Sequence, residues 1–304
     1  MRNAASVVWQ TLFDEQKYAF ITGDLGFMAL EPVRDKLGKW FINGGISEQN
    51  IVSVAAGMSK MGVQTWVYSI APFVYARPFE QIRNDVCLNK LPVKLVGNGG
   101  GYAYGSMGSS HHAIEDYGVM LTLQGMNVHV PAFAEDVEQA VRRMASTPEP
   151  AYLRLGRCEK PKDFSLPSYA PWRRLVEGHG PVLVVVGPLV GGYITPLQDL
   201  DTNCRPELWV LTEMPAGFAE LPQAMLQALR AGRPLVVVEE HVAHGSAGHH
   251  LLAALHQQAV VPTSFQHFCA QGYPSGYYGS QVYHRQESGI DQQSVLSTLG
   301  LYSK

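Results

Sequence analysis

Cysteine is scarce in the sequence, and no two cysteines are close together. The four cysteines are Cys87, Cys158, Cys204 and Cys269. The absence of a CxxC pair argues against a structural zinc site, and the wide spacing argues against a disulfide framework. Sparse cysteines of this kind are typical of a reducing compartment, so we expect a cytoplasmic protein.

Long apolar runs and clusters of basic residues are also missing. No apolar run reaches the ~18 residues of a membrane-spanning helix, and the first ten residues, MRNAASVVWQ, lack the apolar core of a signal peptide. The net charge is −3, and lysine and arginine are scattered along the chain. A protein without a basic patch has no surface that follows the phosphates of a nucleic acid. We therefore expect neither a membrane nor a nucleic acid as a partner.

What the sequence does contain is an alternation of short apolar runs with helical patterns. Up to about residue 160, five runs are predicted as strands, over 18–22, 63–70, 93–98, 127–131 and 151–155. A stripe at helical spacing predicts a helix over 48–61, and its members are Ile51, Val54, Ala55 and Met58. Strands that alternate with helices are typical of a parallel sheet with helices on its faces.

Residues 159–180 interrupt this alternation. They contain three prolines before Gly178 and no clear period, which is typical of a linker. Continuous apolar runs at 181–188 and 234–240 then resemble strands buried in a second parallel sheet. The sequence therefore predicts an α/β protein of two domains, each with a mostly parallel sheet flanked by helices. The predicted limits are 1–160 for the first domain, 161–179 for the linker and 180–304 for the second domain.

Three loops are expected at the carboxyl ends of strands of the first domain, over 44–48, 69–77 and 97–112. Ligands of such sheets bind at the carboxyl ends of the strands. We therefore expect these loops to form one site.

Glu48 follows two glycines and opens the predicted helix. An acid in the first turn after Ser47 suits the start of any helix, because Ser47 can cap it and the charge suits the helix dipole. The alternative is a buried carboxylate that exchanges a proton with a ligand nitrogen. The residues around Glu48 leave both interpretations open.

The other two loops carry aromatic, histidine and arginine side chains. Phe73 and Tyr75 can stack on a ligand ring or simply fill the core, and Arg77 can hold an anion or remain solvated. The glycine-rich stretch 97–112 ends in the adjacent histidines His111 and His112, whose side chains seldom converge on one metal ion. We therefore expect no metal site from this pair.

The YLRLGR segment contains two arginines, Arg154 and Arg157. Arginine at this point suits recognition of a phosphate or a carboxylate, and a surface salt bridge is the alternative.

Taken together, these segments resemble the C-terminal half of transketolase-type, thiamine-diphosphate-dependent enzymes. The resemblance rests on the order of six segments and on VVVEEHVAHGSAG in the second domain. The six are TGDLGF, FINGGISEQNIVSVAAGMSKMG, YSIAPFVYARPFEQIRNDVCLNKLPVKLVG, GSMGSSHHAIEDYG, NVHVPAFAED and YLRLGR.

The resemblance implies a role for each matching residue toward thiamine diphosphate. Glu48 is expected to face a ring nitrogen of the aminopyrimidine and to activate the cofactor by sharing a proton with it. Phe73 is expected to stack on the pyrimidine, and Ile46 and Tyr75 to lie beside the cofactor.

The resemblance also implies substrate contacts. His111 is expected to contact substrate hydroxyls or to assist proton transfer, with His112 beside it. Arg77 and Arg157 match positions near the substrate phosphate. Met107 stands where sugar-transferring members usually carry an aspartate, so the donor or acceptor is expected to differ from ordinary pentose phosphates.

One part of the full-length enzymes has no counterpart in this sequence. The domain that binds the diphosphate and Mg²⁺ through a GDG-type motif is missing. The resemblance therefore implies one subunit of a split enzyme, with the metal ligands on an N-terminal partner subunit. We expect this chain to associate with itself through its C-terminal half, in a heterotetramer of two copies of each chain.

The implied reaction is transfer of a two-carbon ketol unit, or a related acyl unit, from a ketose or 2-oxo donor to an aldehyde. A β subunit of a 2-oxoacid dehydrogenase and a deoxyxylulose-phosphate-synthase-like enzyme remain alternatives. A scaffold subunit without catalytic activity is a further alternative.

Overall fold

The computed structural model of the chain describes residues 1–26, 28–158 and 160–302. Phe27, the last residue of TGDLGF, and Glu159, in the predicted first domain, lie outside the described residues.

The strands are β1 Ala19–Thr22, β2 Phe41–Asn43, β3 Thr65–Ile70, β4 Val93–Asn98, β5 Asn127–His129, β6 Ala151–Leu155, β7 Trp172–Val176, β8 Val182–Val186, β9 Glu207–Leu211, β10 Glu213–Met214, β11 Leu235–Glu239 and β12 Phe265–Cys269. The helices are α1 Arg2–Glu15, α2 Glu31–Leu37, α3 Glu48–Lys60, α4 Ala71–Tyr75, α5 Phe79–Gln81, α6 Asp116–Leu121, α7 Val137–Ser146, α8 Gly191–Gln198, α9 Ala216–Ala219, α10 Gln223–Arg230, α11 Ala247–Gln257, α12 Gln281–Glu287 and α13 Gln292–Thr298. A π-helical stretch, Ile82–Cys87, continues α5.

Two mostly parallel sheets form the core of the protein, and the predicted α/β class is confirmed. The first sheet has the order β10-β5-β6-β4-β3-β1-β2, and the second has the order β12-β11-β8-β9-β7. Only the pairs β10–β5 and β7–β9 are antiparallel among the described strands. The strands β3, β4 and β6 lie inside the first sheet and are buried almost throughout, as their continuous apolar sequences require.

The second sheet begins earlier in the chain than predicted. β7 lies within the predicted linker 161–179 and pairs with β9, so the linker prediction is wrong for 172–176. The sequence does not indicate this strand, because it contains two arginines and follows several prolines. Arg173 is nevertheless buried, since it forms an ion pair with Asp136. β10 crosses back and adds a short edge strand to the first sheet.

The predicted apolar stripe of α3 is correct except at one position. Ile51 and Ala55 are buried, whereas Val54 is 41% exposed. Successive residues of a helix are about 100° apart, so Val54 lies about 60° from Ile51 at the edge of the stripe.

None of the described helices combines the length and the apolar character that a membrane crossing requires.

A buried ion pair joins the two halves of the chain. Arg173 of β7 donates from Nη1 and Nη2 to the carboxylate oxygens of Asp136, just before α7, at 2.8 and 2.6 Å. Both side chains are almost fully buried. Asp136 Oδ2 also accepts the amides of Ala132 and Phe133, both at 3.0 Å. The charge of Asp136 is therefore stabilised both by Arg173 from the second half and by two amides of its own half.

We expect Arg173→Met to destabilise the protein by about 3–5 kcal/mol, because it leaves the Asp136 charge buried without its cation. Urea unfolding of the full chain measures the change. Arg174→Met is the matched control, with an expected loss below about 1 kcal/mol. Arg174 is partly exposed, and its buried partner Glu207 keeps a second cation, Arg233. Equal losses in the two variants would contradict a special role for the buried pair.

Candidate active site

Glu48 and Arg77 meet at the carboxyl edge of the first sheet. Glu48 is the first residue of α3 and is 8% exposed. Arg77, in the loop after α4, donates from Nη1 to Glu48 Oε1 at 2.9 Å. The guanidinium carbon of Arg77 also lies 3.8 Å from the centre of the Phe73 ring. A carboxylate, a cation and an aromatic face therefore share one small region.

The sequence before α3 explains how Glu48 reaches this position. Gly45 has a φ of +73°, which favours glycine. A Cβ on Gly44 would come within 2.5 Å of the Ile51 side chain, so only glycine allows α3 to pack this closely. Ser47 does not act as the expected side-chain cap, because its hydroxyl donates to the carbonyl of Gly44 at 2.6 Å.

His111 joins the same region from the third loop. Its ring centre is 5.2 Å from that of Phe73, in an edge-to-face arrangement. Ser110 Oγ lies 2.9 Å from His111 Nδ1, and the Tyr104 ring packs on the other side with a centre distance of 5.8 Å. Glu48, Phe73, Arg77 and His111 are thus brought together from three loops, as expected from their positions after the strands.

Two further predicted residues are exposed beside this cluster. Ile46 is 82% exposed just before α3, and Met107 is 53% exposed in the glycine-rich loop. Apolar side chains at these positions are open to a ligand or to another chain.

Two predicted site residues are directed into the protein instead. Tyr75 is only 6% exposed, packs in the core and donates from its hydroxyl to Glu115 at 3.2 Å. His112 is 3% exposed, and both ring nitrogens have partners, the hydroxyl of Tyr273 at 2.9 Å and the carbonyl of Gly105 at 2.8 Å. Both side chains are therefore buried in this chain. The expectations that Tyr75 lies beside the cofactor and His112 beside the substrate stay predictions.

The two arginines of YLRLGR have different surroundings. Arg154 is 4% exposed and pairs with Asp116 at 2.9 Å, so it is occupied within the protein. Arg157 lines a polar cavity of about 340 Å³ at the carboxyl ends of β4 and β6. The cavity is lined by Met1, Arg2, Asn3, Asn98, Gly99, Ala103, Tyr104, Gly156 and Arg157.

Arg2 is a candidate that the sequence reasoning missed. Burial raises the pKa of Tyr104, while the Asn98 hydrogen bond and the charges of Arg2 and Arg157 act in the opposite direction. Both guanidinium groups therefore act on the same phenol, and together they make the cavity suitable for an anion. The sequence could have indicated Arg2, because it is a cation in the first turn of α1, where a positive charge is unfavourable to the helix dipole.

Within 1–26, 28–158 and 160–302, no three histidine, cysteine, aspartate or glutamate side chains are grouped as a metal site. The prediction that metal ligands lie on a partner stays a prediction.

Comparison with known proteins gives relatives along most of the chain. The profile of the transketolase pyrimidine-binding domain matches residues 4–161. One subunit of the apulose-4-phosphate transketolase of Phocaeicola vulgatus is 27% identical over 252 residues, covering 81% of this chain and 80% of that protein. 1-Deoxy-D-xylulose-5-phosphate synthase of Clostridium perfringens is 24% identical and covers 89% of this chain, which spans only 44% of that enzyme.

Solved structures share the same fold. A split gene transketolase, described as an inactive β4 tetramer, superposes with a TM-score of 0.81 at 26% identity, covering 98% of this chain and 96% of that one. Transketolase from Leishmania mexicana superposes with a TM-score of 0.77 at 18% identity, covering 98% of this chain and 44% of that one.

The resemblance to the C-terminal subunits of split transketolases is confirmed by these matches. Since the profile covers more than half of the sequence, the chain belongs to the transketolase pyrimidine-binding domain family.

Proposed function

We propose that the chain is the C-terminal subunit of a two-component, thiamine-diphosphate-dependent transketolase-like enzyme. The enzyme transfers a two-carbon ketol unit, or a related acyl unit, from a ketose or 2-oxo donor to an aldehyde. The observation that carries the proposal is the nearly buried Glu48 carboxylate in one cluster with the Phe73 ring. An acid beside an aromatic face fits a flat, nitrogen-containing ring that exchanges a proton.

Glu48 and Phe73 are the residues that would hold the aminopyrimidine. When bound, thiamine diphosphate would supply a nucleophilic carbon, and its positively charged thiazolium ring would act as the electron sink. Glu48 holds a proton at the ring nitrogen, and Phe73 fixes the plane of the ring. His111, oriented through Ser110, contacts substrate hydroxyls or moves a proton at the reacting carbon.

Arg77 has to move before a ring can contact both Glu48 and Phe73. Its guanidinium now binds Glu48 Oε1 and covers the Phe73 ring. The Arg77 side chain is 45% exposed and so has room to turn outward. Once released, it is a cation at the entrance of the site, suited to a carboxylate or phosphate of the substrate.

The cavity between Arg2 and Arg157 is assigned to the phosphate end of a substrate. Two guanidinium groups that converge on one polar cavity favour a dianion. Met107, half-exposed in the glycine-rich loop, offers no hydrogen bond to a substrate hydroxyl. Selectivity is therefore expected to differ from that of enzymes with an acid at this position.

The partner is proposed from the relatives. The relatives from Phocaeicola vulgatus and Actinobacillus succinogenes are each named as one subunit of an enzyme, and this chain covers 80% and 82% of their lengths. The diphosphate and Mg²⁺ would then be held on an N-terminal subunit, in a cytoplasmic heterotetramer of two chains of each kind.

A deoxyxylulose-phosphate-synthase-like reaction is the second candidate. The similarity to the Clostridium perfringens synthase over 89% of this chain favours it. In that case the transferred unit would be an acyl group from a 2-oxo acid. The 2-oxoacid dehydrogenase and scaffold alternatives have no such observation in their favour.

We expect thiamine diphosphate and Mg²⁺ to bind to an equimolar mixture of this chain with the diphosphate-binding subunit of the same genome, and not to either chain alone. Binding needs both halves because the pyrimidine and the diphosphate are held by different domains. Isothermal titration calorimetry measures the affinities. Tight binding by this chain alone would contradict the split-enzyme proposal.

Glu48→Gln is expected to lower kcat of the reconstituted complex by about 10²–10⁴-fold, the usual contribution of a positioned proton-transfer group. Initial rates with 3-hydroxypyruvate as donor and glycolaldehyde as acceptor measure the loss. Glu80→Gln, an exposed acid in α5, is the control and should retain full activity. An active Glu48→Gln complex would remove Glu48 from the proposed role.

Arg157→Gln is expected to raise KM for a phosphorylated aldehyde by about tenfold or more, since hydrogen bonds to charged groups contribute about 1.5–3 kcal/mol. KM for glycolaldehyde, which has no phosphate, should stay unchanged. Arg2→Gln should act in the same direction, and the exposed Arg83→Gln serves as the control. An equal rise in KM for both aldehydes would argue against a phosphate site.

A further inference from the structure

The loop that carries Met107 and His111 is covered by a segment of the second half of the chain. We call residues 270–280, which join β12 to α12, the tyrosine loop. A Cβ on Gly105 would lie 3.1 Å from the carbonyl oxygen of Gly279, so the two backbones pack closely. A Cβ on Gly108 would lie 2.8 Å from the Tyr278 ring. Substitution at either glycine would push the two loops apart.

Side-chain hydrogen bonds fasten the two loops at both ends of this contact. Ser109 Oγ lies 3.0 Å from the hydroxyl of Tyr278. At the other end, the hydroxyl of Tyr273 lies 2.9 Å from His112 Nδ1, and the two rings stack with centres 5.6 Å apart. Because His112 Nε2 contacts the carbonyl oxygen of Gly105, Nε2 carries the proton and Nδ1 accepts from Tyr273. Burial lowers the pKa of His112, which keeps this neutral form.

The two ends of the contact differ in exposure. Tyr273 and His112 bond in a partly buried region, whereas Tyr278 is 51% exposed. Tyr278 therefore lies at the surface of the loop that holds the proposed substrate residues. Tyr273 holds the same loop through its hydrogen bond to His112.

The glycine-rich loop needs such a contact to keep one conformation. Gly105 and Gly108 have φ values of +51° and +76°, and the regular structure in the loop is one short 3₁₀ turn, Gly105–Met107. Over 105–112, the loop's own backbone hydrogen bonds join residues only three or four positions apart, such as Met107 to Tyr104 and His112 to Gly108. Segments held mainly by such turns open easily. A displacement of about 1 Å at a reacting group can cost about 10²-fold in rate.

We propose that Tyr278 is a positioning residue that holds the loop of Met107 and His111 and thereby sets which acceptor the enzyme prefers. The proposal rests on the proposed function, because it gives the second half of the chain a part in the same substrate site. Tyr278 acts through the Gly108 backbone and the Ser109 hydroxyl rather than by contact with the reacting atoms.

The first test uses the full chain without a partner. The amides of His111 and His112 both bond to the carbonyl of Gly108, so their hydrogen exchange reports whether the loop is held. We expect Tyr278→Phe to speed this exchange about fivefold, which corresponds to one lost hydrogen bond of about 1 kcal/mol. Tyr278→Ala should speed it further. Tyr277→Phe is the matched control, because this neighbouring tyrosine is 74% exposed.

The second test uses the reconstituted complex, with 3-hydroxypyruvate as donor. The readout is the ratio of kcat/KM for D-glyceraldehyde 3-phosphate to that for glycolaldehyde. We expect Tyr278→Phe to change this ratio about threefold or more, and Tyr277→Phe to leave it unchanged. The affinity for thiamine diphosphate should be equal in all three proteins, because Tyr278 contacts neither Glu48 nor Phe73.

The outcomes separate the two proposals. Faster exchange together with a changed ratio supports the role of Tyr278. Unchanged exchange, or faster exchange with an unchanged ratio, overturns it while the proposed function stands. A wild-type complex that neither binds thiamine diphosphate nor turns over any of these substrates overturns the proposed function and the role of Tyr278 together.

Discussion

Two consecutive buried carboxylates hold the halves of the protein together, and the shape of the candidate site depends on them. Glu239 ends β11, and Glu240 follows it. Glu239 accepts a short hydrogen bond from the hydroxyl of Tyr117, and Glu240 accepts the amide of Tyr102 at 2.8 Å. In the sequence, Tyr102 precedes the loop 105–112 and Tyr117 follows it. The second half of the chain therefore fixes both ends of the loop that carries His111.

Buried charges are stable here because each is compensated. Glu240 receives two hydrogen bonds from Arg285, at 3.0 and 2.7 Å, and its backbone carbonyl accepts from Arg154 at 2.9 Å. Glu239 accepts the first two amides of α11, from Ala247 and Gly248, both at 2.9 Å. A helix N-terminus suits a carboxylate, and the guanidinium groups supply opposite charge. Removing one partner would leave a charge without water, so this junction tolerates little change.

The sequence allows two parts of this arrangement to be predicted, the parallel sheets and the proximity of Glu48 to Phe73. Both follow from local patterns, because continuous apolar runs indicate buried strands and both residues lie in loops expected at the carboxyl ends of strands. β7 escapes prediction because Arg173 resembles a surface residue until its partner in the other half is known. The burial of His112 could not be predicted for the same reason. Its partner Tyr273 lies 161 residues further along the chain, and no local pattern connects the two.

Because the glycine-rich loop and the tyrosine loop are in contact, substitutions in one half of the chain constrain substitutions in the other. A lengthened tyrosine loop would press on Gly105 and Gly108, and a shortened one would leave Ser109 without its partner. Neither loop can change its length independently of the other during evolution, although the two lie far apart in the sequence. In a chimaera that joins the first half of one relative to the second half of another, two surfaces would meet that were never selected together. Such an exchange would change the contacts of Gly105, Gly108 and Ser109 without replacing any residue of the first half.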